Sequence, residues 1–316
     1  MIRRGGSYST NNMIKYHRSH EIDRERWDEC IRKSFNGIIY AYSWYLDVVC
    51  PGWEALIEDG YKSVMPLTAG KKMGFRYLFP PFFVQQLGVF SVNKLTAEDV
   101  LTFLKTVPAE FRYAEINLNT FNKVVGNAFD FRPNLTHELD LIESHEILKK
   151  AYSDNAKRNL KKAEQHNLVL TDTPSREAII TLFRKGRGED VKALQEPQYD
   201  VLRKLLQALD ARGRLHSRGV LDAEGNLLAG AFFIDANGKV IFLFSGLSEK
   251  GRETGSMFYL IDSFISANAQ KNLVLDFEGS NDPQLARFYR GFGAKECVYL
   301  QARFNHLPWY IKWYKT

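Results

Sequence analysis

Two acidic side chains and a tyrosine near the end of the chain have the types and spacing that acid–base chemistry needs. Asp276 and Glu278 stand two residues apart in LVLDFEG, which alternates like a β-strand, so both carboxyls are predicted on one face. Tyr289 follows in a short predicted helix within RFYRGFG. Transfer of an acyl group to an amine needs a base for the ammonium proton and an acid for the leaving group. A helix cap and a core tyrosine would explain the same spacing, so both interpretations stay open.

A strand that leads through a turn into a helix precedes these residues. The strand is VIFLFSG, the turn LSEKGRETG and the helix SMFYLIDSFI. Backbone N–H groups at a helix start favour anions, which predicts a phosphate cradle at Gly251, Gly255 and Ser256, with Lys250 and Arg252 beside it. The alternative is that the glycines serve only the turn.

Two further stretches are candidates for substrate binding. The segment PPFFVQQLG could line an acceptor groove through Phe82, Gln85 and Gln86, or it could be an aromatic packing loop. Lys157 and Arg158 belong to a basic helix surface suited to phosphates, although such a charged face is more often only solvated.

Helices and strands follow one another in a similar order in both halves of the chain. The first half is predicted to contain helices at 21–33, 43–49 and 96–107, with strands at 53–59, 61–70, 76–91 and 113–120. The second half is predicted to contain a strand at 137–141, one long helix at 144–165 and then a strand, two helices, three hairpin-connected strands, a helix, a strand, a helix and a strand.

This repeated order predicts an α/β fold (a mixed, α+β sheet) in two tandem domains. The expected domains are residues 13–135 and 136–316, after a flexible leader at residues 1–12. A chain of 316 residues exceeds the usual single-domain size, which also favours two domains.

Composition narrows the class of protein. The formal charge of +6 is mildly basic, which fits phosphate-bearing ligands or RNA but falls short of a dedicated nucleic-acid-binding protein, and we expect no DNA partner. The three cysteines and seven histidines lack the spacing of metal ligands, so we expect no metal. No apolar stretch is long enough to span a membrane, and the unpaired cysteines fit a reducing compartment, so we expect a cytoplasmic protein. Nothing indicates the oligomeric state.

The strand, the turn from Arg252 to Met257 and the helix resemble the acyl-CoA N-acyltransferase (GNAT) superfamily, together with the later Tyr289-Arg-Gly-Phe292. Met257 stands where that family has a small residue. The resemblance implies an acyl-CoA donor such as acetyl-CoA, with Glu278 as base and Tyr289 as acid. The implied donor contacts are Phe244, Ser245, Gly246, Arg252, Gly255, Ser256 and Asn281.

A second resemblance extends over more of the chain. YSDNAKRNLKKAEQHNLVL, LDFEGS and RFYRGFGAK are similar to the Fem family of peptidyltransferases, which have two GNAT-like domains and use aminoacyl-tRNA to extend peptidoglycan precursors. Related bacterial proteins described as acyltransferases share the same pattern. Tyr289 stands where Fem enzymes have a lysine implicated in catalysis, which favours the ordinary GNAT reaction.

Together these observations predict an enzyme, an N-acyltransferase that moves an acyl group from a thioester or ester donor to a small-molecule or peptide amine. One alternative is an aminoacyl-tRNA-dependent peptidyltransferase, with tRNA as a partner. Another is a GNAT-like protein that has lost catalysis and only binds a ligand.

Overall fold

The computed structural model describes residues 13–126, 128–189, 191, 193–279 and 281–309, and the predicted leader lies outside them. The helices are α1 (Arg24–Lys33), α2 (Ser43–Val49), α3 (Ala97–Thr106), α4 (His145–Lys150), α5 (Asp154–Ala163), α6 (Arg176–Lys185), α7 (Glu196–Asp210), α8 (Glu249–Glu253), α9 (Ser256–Asn268) and α10 (Pro283–Arg290). The strands are β1 (Ile14–His17), β2 (Glu54–Glu58), β3 (Ser63–Leu67), β4 (Ala69–Lys72), β5 (Phe75–Leu78), β6 (Phe90–Ser91), β7 (Phe111–Asn117), β8 (Asp130–Asp140), β9 (Val169–Thr171), β10 (Leu215–Leu221), β11 (Leu227–Ala236), β12 (Lys239–Leu247), β13 (Val274–Gly279) and β14 (Lys295–Asn305).

One large mixed sheet runs through both halves of the described chain. Its ten strands lie in the order β4-β5-β7-β14-β8-β13-β12-β11-β10-β9, and a smaller sheet has the order β1-β2-β3-β6. The last strand, β14, pairs antiparallel with β7 on one side and with β8 on the other. The predicted mixed α/β fold is therefore confirmed. The expected boundary between residues 135 and 136 falls inside β8, and the division into two domains stays a prediction.

Apolar side chains cover both faces of the sheet from β10 to β13. On one face, α6 and α7 pack together with α1 and α2 in a core that also contains Trp27, Tyr45 and Phe232. On the other face, α4, α5, α9 and α10 pack around Phe233 and Phe277. A third core lies between α3, β5 and β7. The first core joins the two halves of the chain, because it takes buried side chains from both.

Local sequence signals account for most element boundaries. Helix α2 occupies the predicted residues, and Thr96 caps α3 by accepting a hydrogen bond from the Asp99 N–H, as a helix start requires. The three hairpin-connected strands are confirmed as β10, β11 and β12.

Four of the predicted elements are wrong. The predicted strand over 61–70 is two strands, β3 and β4, which belong to different sheets. The single helix over 144–165 is two helices, because Ser153 is extended (φ −65°, ψ 156°) and caps α5 through the Ala156 N–H. The predicted strand over 76–91 is mostly loop, since Pro80 and Pro81 cannot donate to a ladder. The turn after β12 contains the short helix α8, which Ser248 caps.

Candidate functional site

Strands β12 and β13 separate after a short paired stretch. They are parallel neighbours over only three residue pairs, from Lys239 with Val274 to Ile241 with Asp276. Beyond this point β12 continues to Leu247 while keeping its other partner, β11. The edge of β12 that faces β13 is therefore released from the ladder, which opens a gap inside the sheet.

A pocket of about 310 Å³ lies at this gap. Its walls come from the end of α6, the free part of β12, the start of α9 and one side of α10. Phe242, Met257, Phe258 and Phe288 make much of the lining apolar, and Tyr289 contributes to the same wall. A pocket of this size with few polar groups has the character of a small-molecule site.

The start of α9 lies at the mouth of the pocket without a side-chain cap. Gly255 is its N-cap in the left-handed conformation (φ 73°), and no side chain in the described parts of the chain caps this helix end. The first N–H groups of α9 therefore keep their capacity to bind an anion. Arg252 is exposed beside them and has no ion-pair partner among the described residues.

Helix α5 fixes the conformation of that turn. A Cβ on Gly255 would stand 2.6 Å from the Asn159 carbonyl oxygen, so only glycine allows this approach. The helix with the basic residues therefore packs directly against the predicted anion cradle. Lys157 and Arg158 are exposed on it and form no ion pair within the described parts of the chain.

Asp276 lies in a buried ion pair at the centre of the sheet. Its Oδ2 is 3.1 Å from Lys239 Nζ, which also lies 2.5 Å from Glu138 Oε1. The Thr136 hydroxyl and the Glu278 N–H both donate to Asp276 Oδ1. Burial lowers the pKa of Lys239, but the two carboxylates outweigh it and raise that pKa overall. Asp276 is thus held by three donors, and its contacts stabilise the sheet where β13 leaves β12.

Glu278 adopts a backbone conformation that breaks the alternation of β13. Its φ is 59°, and the pairing of β13 with β8 shifts between Asp276 and Gly279. The expectation that Asp276 and Glu278 share one regular strand face is therefore wrong at Glu278. Positive φ in a residue other than glycine is strained, and such strain concentrates at functional sites.

The Glu278 carboxyl is hydrogen-bonded to one phenol and electrostatically coupled to two others. Tyr40 donates a hydrogen bond to its Oε1. The Glu278 charge also raises the pKa of Tyr289 and of Tyr299, although burial is the larger cause for both. Burial raises the pKa of Glu278 itself to about 8. A carboxylate with this pKa is a far stronger base than an exposed one.

Tyr289 is buried between the sheet and the pocket. Its ring stacks on Phe277 at 5.0 Å and lies 5.9 Å from the ring of His137. No described residue makes a hydrogen bond to its hydroxyl. Burial raises the pKa of Tyr289 well above its ordinary value, so the phenol stays protonated at neutral pH.

The structure brings together only part of the predicted donor site. Ser245, Arg252 and Gly255 line the pocket. Of the predicted catalytic residues, Tyr289 lines it and Asp276 and Glu278 do not. The other predicted donor contacts lie off its wall: Phe244, Gly246, Ser256 and Asn281.

Each of these four residues has a contact that explains its position. Phe244 packs on Phe183 in the first core, and a Cβ on Gly246 would stand 2.4 Å from the Ile179 carbonyl oxygen. Ser256 bonds to Thr254 through its buried hydroxyl. Asn281 bonds to Asn134 and to the Leu135 N–H on β8.

The predicted acceptor residues lie in the loop between β5 and β6, outside the pocket wall. Phe82 is exposed, and Gln86 is buried. The Gln86 side chain donates to Gln85 Oε1 and accepts from the Thr120 N–H. A role of these residues in acceptor binding stays a prediction.

Sequence reasoning missed several groups at the site. Tyr40 lies 238 positions from Glu278, and Lys239 and Tyr299 come from strands on either side of β13. Arg187 borders the pocket and pairs with Asp282 at 2.6 Å, which ties the end of α6 to the start of α10. Only knowledge of the strand order could have placed these side chains together.

Neither a metal cluster nor a membrane-spanning helix occurs in the described ranges. No group of three or more His, Cys, Asp and Glu side chains there could hold a metal ion. None of the helices combines the length and apolar character that crossing a bilayer needs.

Comparison with known proteins agrees with this architecture. Residues 150–284 match the family described as Acetyltransferase (GNAT) domain. The matched residues include β12 and the start of α9. No curated protein sequence matches the chain. This part of the chain is thus similar to a GNAT domain.

Solved structures extend the similarity over most of the chain. FemX superposes with a TM-score of 0.63 at 14% identity, over 88% of this chain and 96% of FemX. A conserved protein of unknown function from Bacteroides thetaiotaomicron gives 0.61 at 10% identity, over 93% and 100% of the two chains. L-PGS from Bacillus licheniformis gives 0.52 at 11% identity, over 92% and 94%. Identities this low show a shared fold, and the fold is GNAT-like and Fem-like as the resemblance predicted.

Replacing Gly255 with alanine should destabilise the protein more than the same change at Gly213. Both glycines have positive φ, 73° and 64°, but a Cβ at Gly213 meets nothing within 4 Å. The Gly213→Ala variant therefore measures backbone strain alone, about 1–2 kcal/mol. Urea unfolding of the two variants should show a larger loss for Gly255→Ala, because the Asn159 carbonyl must move. Equal losses would contradict the close packing of α5 on the turn.

Proposed function

We propose that the protein is an N-acyltransferase that moves an acyl group from a thioester or ester donor to an amine. Similarity to a GNAT domain and a Fem-like fold support acyl transfer in general. The observation that carries the finer proposal is the pocket beside the part of β12 that no longer pairs with β13. It has Tyr289 on its wall and the uncapped start of α9 at its mouth.

An acyl-CoA is the donor that this pocket favours. The N–H groups at the start of α9 offer positive charge for phosphate groups, and so does Arg252, which has no ion-pair partner among the described residues. Met257 packs into the second core and forms part of the apolar wall, which suits the pantetheine arm better than another phosphate. The free edge of β12 near Ser245 offers unpaired backbone groups along which an amide-containing arm can bind.

In the proposed reaction, Glu278 acts as the general base and Tyr289 as the general acid. Ionised Glu278 takes a proton from the ammonium group of the acceptor, and the free amine attacks the acyl carbonyl carbon. A carbon–nitrogen bond forms, and the carbon–sulfur bond of a thioester breaks. Tyr289 gives its proton to the departing thiolate. The newly acylated nitrogen releases its second proton to solvent and becomes the amide nitrogen. The proton held by Glu278 returns to the phenolate, directly or through solvent, so the enzyme ends as it began and one proton is released overall.

Aminoacyl-tRNA with a peptidoglycan precursor is the second candidate for the substrate pair. The exposed Lys157 and Arg158 on α5 favour it, because that helix touches the predicted anion cradle through Asn159. A large polyanion at the pocket would extend over this basic face. Salt-sensitive binding of charged tRNA, with no thiol release from acyl-CoA, would support this candidate over the first.

Tyr289→Phe should lower kcat by roughly 10²–10⁴-fold, because the ring is kept and only the proton donor is removed. The assay is release of free thiol from acyl-CoA with a set of amine acceptors. Tyr152→Phe is the matched control, since Tyr152 is buried in the same core but does not line the pocket. A Tyr289→Phe enzyme with the kcat of the wild type would show that Tyr289 is only a packing residue.

The rate should rise with pH through the pKa of Glu278, about 8, because only the ionised carboxylate accepts a proton. Below this pH the carboxyl is protonated and kcat/KM should fall about tenfold for each unit. Glu278→Gln should lower the rate and remove this limb of the profile. A limb that survives in Glu278→Gln belongs to the acceptor amine and would contradict the role of Glu278.

A further inference from the structure

Tyr40 reaches the candidate base from the other half of the chain. It lies in a short helical turn at Ile39–Ala41 and is 1% exposed in the first core. Its hydroxyl donates to Glu278 Oε1 at the end of β13. A buried phenol that donates to a carboxyl group fixes the orientation of that group.

The position of Tyr40 is itself fixed by a neighbouring tyrosine. The Tyr45 ring meets it edge to face, with centroids 5.5 Å apart and planes at 73°. The Tyr45 hydroxyl donates to the Phe83 carbonyl oxygen at 2.6 Å, in the loop between β5 and β6. Tyr40 therefore sits in a rigid aromatic cluster whose other hydrogen bond does not involve Glu278.

We propose that Tyr40 is a positioning residue through which the N-terminal half orients the Glu278 carboxyl for proton transfer. This inference rests on the proposed function, since it assigns a partner to the base of that reaction. It makes the site a product of both halves of the chain, although the family match lies in only one of them.

The groups around Glu278 determine whether its pKa should rise or fall when the Tyr40 hydroxyl is removed. Tyr40 donates to it from the first core. Tyr289 on α10 and Tyr299 on β14 are coupled to it electrostatically, since the Glu278 charge raises the pKa of both. On β13 itself Asp276 accepts from the Glu278 N–H, and its charge is compensated by Lys239. Tyr40 is the described side chain that donates to the carboxyl, so its loss removes a contact that favours the charged form. The pKa of Glu278 should then rise.

The test is a ¹³C NMR titration of the Glu278 side-chain carboxyl, identified by its absence in Glu278→Gln. In Tyr40→Phe its pKa should rise by about one unit relative to the wild type. Tyr45→Phe is the matched control, because it removes a buried hydroxyl from the same cluster and should leave the Glu278 titration unchanged. In the wild type, the chemical shift of Tyr40 Cζ should change over the same pH range as that of the Glu278 carboxyl. This measurement does not depend on a variant that folds.

Kinetics provide the second readout. Tyr40→Phe should lower kcat, leave KM for the donor unchanged and shift the pH limb upward with the Glu278 titration. The proposal would be overturned if the pKa of Glu278 were the same in Tyr40→Phe as in the wild type. It would also be overturned if the Tyr40 Cζ chemical shift in the wild type did not change as Glu278 titrates. The titrations need no substrate. If both titrations change as expected while the wild type transfers no acyl group, the contact between Tyr40 and Glu278 is confirmed and the proposed function is wrong.

Discussion

The early separation of β12 from β13 is the constraint on which the rest of the site depends. Parallel strands that stay paired would use their facing backbone N–H and C=O groups for hydrogen bonds to each other and would leave no room between them. Here the pairing stops after three residues, while β12 keeps β11 and β13 keeps β8 as partners. Each strand thus keeps its other neighbour in the sheet, although both of these ladders contain a register shift. The gap is therefore a feature of the sheet rather than of a loop.

Buried charge stabilises the point where the strands divide. Lys239 pairs there with both Asp276 and Glu138, so the closed end of the gap is tied by an ionic contact across three strands. Removal of one partner from such a pair is costly, because it leaves an uncompensated buried charge. The two acids that looked equivalent in the sequence thus have different surroundings. Asp276 is held by a cation, whereas Glu278 lies two residues further on among phenols.

Much of the fold could be predicted from local signals, since caps, hairpin turns and apolar periodicity are properties of short segments. The failures have equally local causes, such as the capping of α5 by Ser153. The site was harder than the fold to predict from the sequence. Alternation placed Asp276 on its face correctly but failed at Glu278, where φ is positive. Tyr40 and Glu278 meet only because the first core joins both halves, and no short-range pattern encodes that contact.

Calorimetric titration of coenzyme A tests most directly that the gap between β12 and β13 is the donor site. Ser245→Trp places a large ring in the pocket from β12, whereas Gln207→Trp places the same ring on the exposed side of α7. The account predicts that the wild type and Gln207→Trp bind coenzyme A alike and that Ser245→Trp binds at least about tenfold more weakly, a loss of ~1.4 kcal/mol. Equal binding by all three proteins would contradict it.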